Sequence, residues 1–229
     1  MFHARGVWFA LLFGVSVGLV PVSVGETIVI DDFETYRDGQ ILGLSYDSLP
    51  WLRFGDATAD NIVATNRRGK VISGRLSAQY GLFWPNTFGA ARYAFTSPSD
   101  LSPYRHVSVA MRSDEPATRT MVKLALTNGY TTFATSRAEV LTDQEQVLTF
   151  ELSPDVLVRV DGQEVFEDVI RSVVNIGFTF QSSEGQYSET VLIDDFQFIV
   201  EPAGEGQATN GMVELKALEG LEPNPHWSE

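Results

Sequence analysis

A pair of adjacent aspartates occurs twice in the chain, each time in the same local sequence. The tetrapeptide Ile-Asp-Asp-Phe occupies residues 30–33 and again residues 193–196. Both copies lie in β-branched, apolar stretches that are typical of strands. Aspartate is a poor strand residue and adjacent carboxylates repel one another, so each copy is locally unfavourable. Carboxylate oxygens are ligands that Ca²⁺ prefers, and the repetition therefore points to a cation site.

Strand geometry selects the carboxylates that would share this ion. Side chains alternate between the two faces of a strand. If Phe33 and Phe196 point into the core, the neighbouring carboxylates project from the opposite face: Asp32, Glu34 and Asp195. With the first and last strands side by side, these three groups would bind one Ca²⁺ and tie the two ends of the domain together.

The remaining aspartates, Asp31 and Asp194, share the side of the phenylalanines. They would reach the same ion only at a strand end or a bulge. The alternative for both copies is that each Asp-Asp pair ends its strand and is hydrated.

The two motifs resemble those of a known family. Asp-Asp-Phe-Glu at residues 31–34 and Ile-Asp-Asp-Phe-x-Phe at residues 193–198 are similar to the ends of jelly-roll carbohydrate-binding modules, the family 11 type in particular, and more broadly of galactose-binding-domain-like β-sandwiches. By layout the resemblance covers residues 26–200. It implies a structural Ca²⁺ held by the first and last strands, away from the sugar site, and a non-catalytic role in carbohydrate binding.

Alternation and turn residues predict about ten strands and no amphipathic helix between residues 26 and 200. The clearest strands are Trp51–Phe54, His106–Arg112, Thr120–Thr127 and a central Val173–Gln181. The dipeptide Asn128-Gly129 is typical of a hairpin turn, whereas the pattern loosens over residues 75–84. Short strands with frequent turns predict an all-β fold, an antiparallel β-sandwich of jelly-roll type.

Aromatic residues beside polar ones are the candidate ligand contacts. Sugars present C–H faces that pack on aromatic rings, and their hydroxyls bond to planar polar groups. Five aromatic residues have such neighbours in the sequence: Trp84, Tyr130, Tyr80, Trp51 and Tyr187. The alternative for the largest of them is burial in the core, where big aromatic side chains usually lie.

No constellation of catalytic residues is present in the sequence. His106 is the only histidine between residues 26 and 200, and no Gly-x-Ser-x-Gly, His-Glu-x-x-His or phosphate-binding glycine-rich motif occurs. A glycosidase needs only two facing carboxylates, but no motif here supports one. The sequence therefore predicts a protein that is not an enzyme.

Composition limits the partners. The 229 residues are 44% hydrophobic, carry a formal net charge of −14 and contain no cysteine. Nucleic acids and anionic membranes attract basic surfaces, so neither is expected to bind here. A polysaccharide or glycan is the expected partner, and we expect a monomer that is not an integral membrane protein.

The two ends of the chain differ from its centre. Residues 1–25 have a basic start, an apolar run and small residues at 23 and 25, which is typical of a cleaved signal peptide; an uncleaved anchor is the alternative. Residues 201–229 form an acidic tail that we expect to be mostly disordered. The sequence thus predicts a secreted or periplasmic, non-catalytic carbohydrate-binding β-sandwich at 26–200 with a structural Ca²⁺. The alternative is an envelope-associated structural or protein-interaction domain with no small ligand.

Calcium removal tests the predicted clamp. A ligand that binds only the folded state stabilises it by about 2.7 kcal/mol at a hundredfold excess over its Kd. Chelation should therefore lower the melting temperature of the full chain, by roughly 2–4 °C per kcal/mol at this size. Asp195→Ala should have the lower melting temperature with and without chelator. An unchanged wild-type melting temperature, with no heat of Ca²⁺ binding in calorimetry, would show that the site does not exist.

Overall fold

The structure is a computed structural model, and it describes residues 26–44, 50–84, 88–115, 120–182 and 187–200. The predicted signal peptide and the acidic tail lie outside these residues. Within the described ranges, leaving out the four internal gaps, no helix has the length and apolar content needed to cross a membrane.

The described chain is built almost wholly from strands. In chain order they are β1 (Thr27–Asp31), β2 (Ile41–Leu44), β3 (Trp51–Phe54), β4 (Ile62–Thr65), β5 (Ser77–Trp84), β6 (Gly89–Ser99), β7 (His106–Ser113), β8 (Thr120–Thr127), β9 (Thr132–Thr135), β10 (Glu139–Val140), β11 (Gln146–Glu151), β12 (Leu157–Asp161), β13 (Val173–Ser182) and β14 (Tyr187–Ile199). One short helix, α1 (Phe166–Val169), precedes β13.

The strands follow one hydrogen-bonded path, in the order β11-β7-β14-β5-β4-β2-β3-β6-β13-β8-β9-β12, with β1 paired to β14 and β10 to β8. Among the described pairings only that of β2 with β3 is parallel. We call the strands from β11 to β2, together with β1, the β14 sheet. Those from β3 to β12, together with β10, are the β13 sheet.

Aromatic rings join the two sheets across the core. The ring centroids of Phe178 on β13 and Phe196 on β14 lie 5.2 Å apart, and those of Tyr80 on β5 and Phe180 on β13 lie 5.8 Å apart. All four side chains are fully buried. The all-β, antiparallel sandwich predicted from the sequence is therefore confirmed.

Local signals in the sequence hold to different degrees. The Asn128-Gly129 hairpin is confirmed: the Asn128 side-chain oxygen accepts the N–H groups of Tyr130 and Thr131, and Gly129 has a positive φ of 94°. The stretch 75–84 contains the eight-residue strand β5. Gly81 interrupts the pattern there because the Asp60 side chain lies against it, at 2.9 Å from where a Cβ would be.

Trp51 is the residue on which we expect the core to depend most. Its ring lies 5.6 Å from that of Phe33 and 5.7 Å from that of Phe196, and its Nε1–H donates to Asp31 at 2.8 Å. Trp51→Phe leaves a cavity and removes a donor from a buried carboxylate. We expect a loss of about 2–4 kcal/mol in the free energy of unfolding, measured by urea titration.

Tyr130→Phe is the matched control for this substitution, because Tyr130 is 84% exposed and its truncation should change stability by less than about 0.5 kcal/mol. Equal stability of Trp51→Phe and Tyr130→Phe would contradict the role given to Trp51.

Candidate functional site

The first and last strands lie side by side, as the predicted clamp requires, but bulges redirect the aspartates. Strand β1 pairs antiparallel with β14, and the register shifts between Val29 and Asp31. The pairing of β14 with β7 shifts between Asp194 and Gln197, where Asp195 has a positive φ of 48°. A bulge adds one residue to a strand, so simple alternation fails on both copies.

Asp31 faces the core. It lies opposite Phe196 on β14 and is 7% exposed. Its Oδ2 accepts the Trp51 indole N–H and the Tyr36 hydroxyl, each at 2.8 Å, while Oδ1 accepts the Phe33 backbone N–H at 2.9 Å. Burial outweighs these donors and raises the pKa of Asp31 from 3.8 to about 6. The side chain is a satisfied core acceptor.

Asp194 faces the opposite side of the β14 sheet. Ile193 before it belongs to the core, whereas Asp194 is buried beneath the loop that precedes β5. Its Oδ2 accepts the Ser73 backbone N–H at 3.0 Å and the Ser77 hydroxyl at 2.7 Å, and its Oδ1 accepts the Asp195 N–H at 2.9 Å. Burial raises the pKa of Asp194 to about 6.

The same loop also bonds to two of the three acidic side chains that were predicted to share the ion, Asp195 and Glu34. The Ser73 hydroxyl donates to Asp195 at 2.9 Å. Glu34 accepts the backbone N–H groups of Arg75 at 2.6 Å and Leu76 at 3.0 Å, and these bonds, Leu76 first, lower the pKa of Glu34. Both motif copies therefore converge on residues 73–77, which offer N–H and O–H donors.

The calcium ion itself stays a prediction. Within the described residues no three Asp, Glu, His or Cys side chains form a group that could hold a metal. Asp32 accepts the Glu34 backbone N–H at 3.1 Å. The carboxylates of Asp31 and Asp194 accept their hydrogen bonds from uncharged donors. Because N–H and O–H groups occupy the lone pairs that a cation would need, these side chains fit Ca²⁺ poorly in this arrangement.

Three predicted ligand contacts are wrong as surface platforms. Trp51, Tyr80 and Trp84 are each fully buried, so no ring face meets solvent. Their polar atoms have protein partners: the Trp84 indole donates to Glu189 at 3.2 Å, and the Tyr80 hydroxyl donates to the Ala90 carbonyl at 3.2 Å. Strand alternation directs all three side chains into the core. Their polar neighbours in the sequence had suggested that they were exposed.

The other two predicted contacts differ. Tyr130 is 84% exposed at the tip of the β8–β9 hairpin, so its role as a ligand contact stays a prediction. The side chain of Tyr187 lies outside the described part of the structure.

A different surface has the form of a binding site, on the outer side of the β13 sheet. Ala91 and Tyr93 on β6, and Ile176 and Phe178 on β13, pack in the core, so the residues between them face outward. In register they form three rows across β6, β13 and β8: Ala94, Asn175, Thr127; Arg92, Gly177, Ala125; and Ala90, Thr179, Lys123. We call these nine residues the small-residue face.

Gly177 sets the depth of this face at its centre. A Cβ there would lie 2.4 Å from the Ala91 carbonyl oxygen and 2.6 Å from the Arg92 Cα, so no larger residue fits without moving β6 from β13. Ala125 lies beside Gly177 on β8, and both residues are buried, so the accessible part of the face is formed by the half-buried side chains around them. Polar side chains surround the floor, with Asn175 on one side and Thr179 on the other.

Arg92 is one of the two cations of this face, with Lys123. Its guanidinium lies over the Phe54 ring, 4.7 Å from the centroid, and its Nη1 donates to the Asn175 side-chain oxygen at 3.5 Å. Its Nε is buried without a hydrogen-bond partner. Burial lowers the pKa of Arg92 to about 10, which leaves it protonated at neutral pH. Sequence reasoning missed this residue, although its place between inward-facing Ala91 and Tyr93 could have indicated an outward side chain.

Comparison with known proteins identifies the fold. No family model matches the chain, and a search of curated proteins finds no match. A family 11 carbohydrate-binding module from Clostridium thermocellum, solved with a β-1,3-1,4-mixed-linked tetrasaccharide, is similar over 78% of this chain and 97% of its own, at 13% identity and a TM-score of 0.51. The solution structure of the module named CtCBM11 is similar over 80% of this chain and 99% of its own, at 13% identity and a TM-score of 0.50.

An agarase, AgWH50C, is similar over 78% of this chain but only 25% of its own, at 8% identity and a TM-score of 0.50. The jelly-roll sandwich of family 11 modules, expected from the two end motifs, is therefore confirmed as the fold of this chain.

The buried aspartates predict a dependence of stability on pH. Their pKa in the folded chain, about 6, exceeds the 3.8 of an ordinary aspartate, so the folded state holds protons that the unfolded state has released. The resulting stabilisation is fully present below 3.8 and is lost as the pH rises through 6. Each group should add about 1 kcal/mol to the free energy of unfolding at pH 5 relative to pH 7.

Asp194→Asn should remove the contribution of Asp194 to this difference in the free energy of unfolding, measured by urea titration at pH 5 and pH 7. The exposed Asp155→Asn is the control and should leave the difference as it is in the wild type. The same pH dependence in Asp194→Asn as in the wild type would contradict the titration of Asp194.

Proposed function

We propose that this chain is a secreted, non-catalytic carbohydrate-binding β-sandwich that binds a polysaccharide along its small-residue face. The single observation that carries the proposal is the arrangement of that face, in which polar side chains surround a floor of glycine and alanine. The fold shared with family 11 modules supports it, because one of them was solved with a bound tetrasaccharide.

The floor suits a sugar chain in shape. A pyranose ring is flat and has few apolar atoms, so it needs a surface that it can approach closely. Gly177 and Ala125 are themselves buried, but they add no large side chain to the central row, so a ring can approach the half-buried residues around them over two strands about 4.8 Å apart. Larger side chains in the central row would hold the ring away from the sheet.

The rim suits a sugar in chemistry. Asn175 offers an amide that both donates and accepts, and Thr179 offers a hydroxyl. Arg92 adds guanidinium donors packed against the Phe54 ring. Such groups match the hydroxyls of a sugar, which also donate and accept.

Tyr130 extends this site at one end. Asn175 lies opposite Thr127, directly before the hairpin, and Val174 lies near Gly129. The exposed Tyr130 ring thus lies at the edge of the same sheet, where it is placed to stack on one further sugar.

The face does not have the composition of a hydrolase site. Strands β6, β8 and β13 contain no Asp or Glu, so these strands offer no pair of carboxylates for glycosidic bond cleavage. This is in keeping with the comparison to non-catalytic modules and supports binding as the role of the face.

Affinity electrophoresis of the full chain through gels containing polysaccharides tests the proposal. The panel contains the neutral barley β-glucan and xyloglucan and the acidic polygalacturonate and alginate. We expect retardation by at least one of them. Asn175→Ala combined with Thr179→Val should weaken that retardation about thirtyfold, because each of the two lost hydrogen bonds contributes about 1 kcal/mol.

Thr149→Val is the matched control, since Thr149 is exposed on β11 in the other sheet and should not affect retardation. Free migration of the wild type in every gel would contradict carbohydrate binding. Equal retardation of the wild type and the double variant would show that the small-residue face is not the site.

A further inference from the structure

The small-residue face differs in charge from the chain around it. The protein has 30 acidic and 16 basic residues, yet the three strands that carry the face contain no carboxylate. Their charged side chains are Arg92 and Lys123, both basic and both on the outer side. This is a local cationic surface on an acidic protein.

Arg92 has no anionic partner among the described residues. Other basic side chains of the chain do: Lys70 bonds to Asp114, and Arg105 lies 3.0 Å from Glu151. Within the described ranges the guanidinium of Arg92 contacts only the face of the Phe54 ring and the Asn175 side-chain oxygen, which lies 3.5 Å from Nη1. Its Nε is buried and has no hydrogen-bond partner there. Leaving a largely desolvated cation without a counter-charge is unfavourable, and the fold nevertheless keeps it at the centre of the face.

A bound anion would satisfy this guanidinium. Carboxylate and sulfate groups accept two parallel N–H bonds from an arginine, whereas a sugar hydroxyl accepts one. The Phe54 ring packs against the guanidinium on one side, with Cζ 4.7 Å from the ring centroid, so the group is held near its place before any ligand arrives. Lys123, on the next row, adds a second positive charge, and its Nζ donates to the Ser136 carbonyl oxygen at 3.5 Å.

We propose that the ligand of this face is an acidic polysaccharide, whose carboxylate or sulfate group binds Arg92 while Lys123 attracts the charge of the same chain. This inference rests on the proposed carbohydrate-binding function and names its substrate class. The Arg92 guanidinium is the specificity-determining group, and the half-buried side chains around the glycine and alanine floor hold the sugar ring that carries the anion.

Affinity electrophoresis of the full chain against matched gels tests the substrate class. Polygalacturonate represents carboxylated glycans, dextran sulfate represents sulfated ones, and barley β-glucan represents neutral ones; poly-glutamate is a polyanion without sugar. We expect retardation by one acidic glycan at least tenfold stronger than by β-glucan and poly-glutamate. Raising the salt concentration should weaken it, because screening reduces the attraction between exposed charges.

Two variants locate the anion. Arg92→Met keeps the length of the side chain and removes its charge, so we expect a tenfold or greater loss of retardation by the acidic glycan. Its melting temperature should equal or exceed that of the wild type, because an unpaired desolvated charge is lost. Lys123→Gln should reduce retardation less, and the exposed Arg67→Met, in the loop before β5, should leave it unchanged.

The outcomes separate this inference from the function on which it rests. Equal retardation by neutral and acidic glycans, or wild-type retardation of Arg92→Met, would overturn the acidic ligand and leave carbohydrate binding intact. Retardation by poly-glutamate as strong as by the glycans would overturn the inference by showing attraction to any polyanion. No retardation by any polysaccharide would overturn both.

Discussion

The antiparallel pairing of β1 with β14 determines how the two ends of the sandwich meet. A bulge in this pairing turns Asp31 into the core, and a second one, between β14 and β7, turns Asp194 toward the outer side of the same sheet. Each buried carboxylate is then surrounded by neutral donors rather than by a counter-ion. The repeated tetrapeptide therefore has two different structural roles, and the loop at residues 73–77 connects the outer one to β5.

Buried charge is treated differently in the two halves of the molecule. In the β14 sheet Asp31 and Asp194 accept three hydrogen bonds each, so their desolvation is compensated within the protein. In the β13 sheet Arg92 has no such compensation among the described residues. The Nε of Arg53 on β3 is also buried without a hydrogen-bond partner. A desolvated charge that the protein leaves unsatisfied indicates where a ligand would be most effective.

Much of the architecture could be predicted from residue patterns, and the site could not. Alternation located β3, β7, β8 and β13, and the repeated motif indicated that the first and last strands are neighbours. The bulge at Asp195 contains no glycine or proline that would predict it, so alternation placed Asp194 on the core side with Phe196, whereas Asp194 lies on the outer side of the sheet. Trp84, beside a proline, had the surroundings of a loop residue and is core. The small-residue face needs the register of three strands that are distant in sequence, which a single strand pattern does not contain.

The hydrogen bonds between the loop and β14 have a consequence for how the chain reaches this state. Ser73 and Asp194 are 121 residues apart in the sequence, and Glu34 meets Arg75 across 41. Contacts between such distant residues form only after a large loop has closed, and chains dominated by them fold in milliseconds to seconds rather than microseconds. During synthesis β5 and its preceding loop leave the ribosome well before β14 exists to cover them. One edge of β5 therefore stays unpaired in the nascent chain until β14 has been synthesised and completes the sheet.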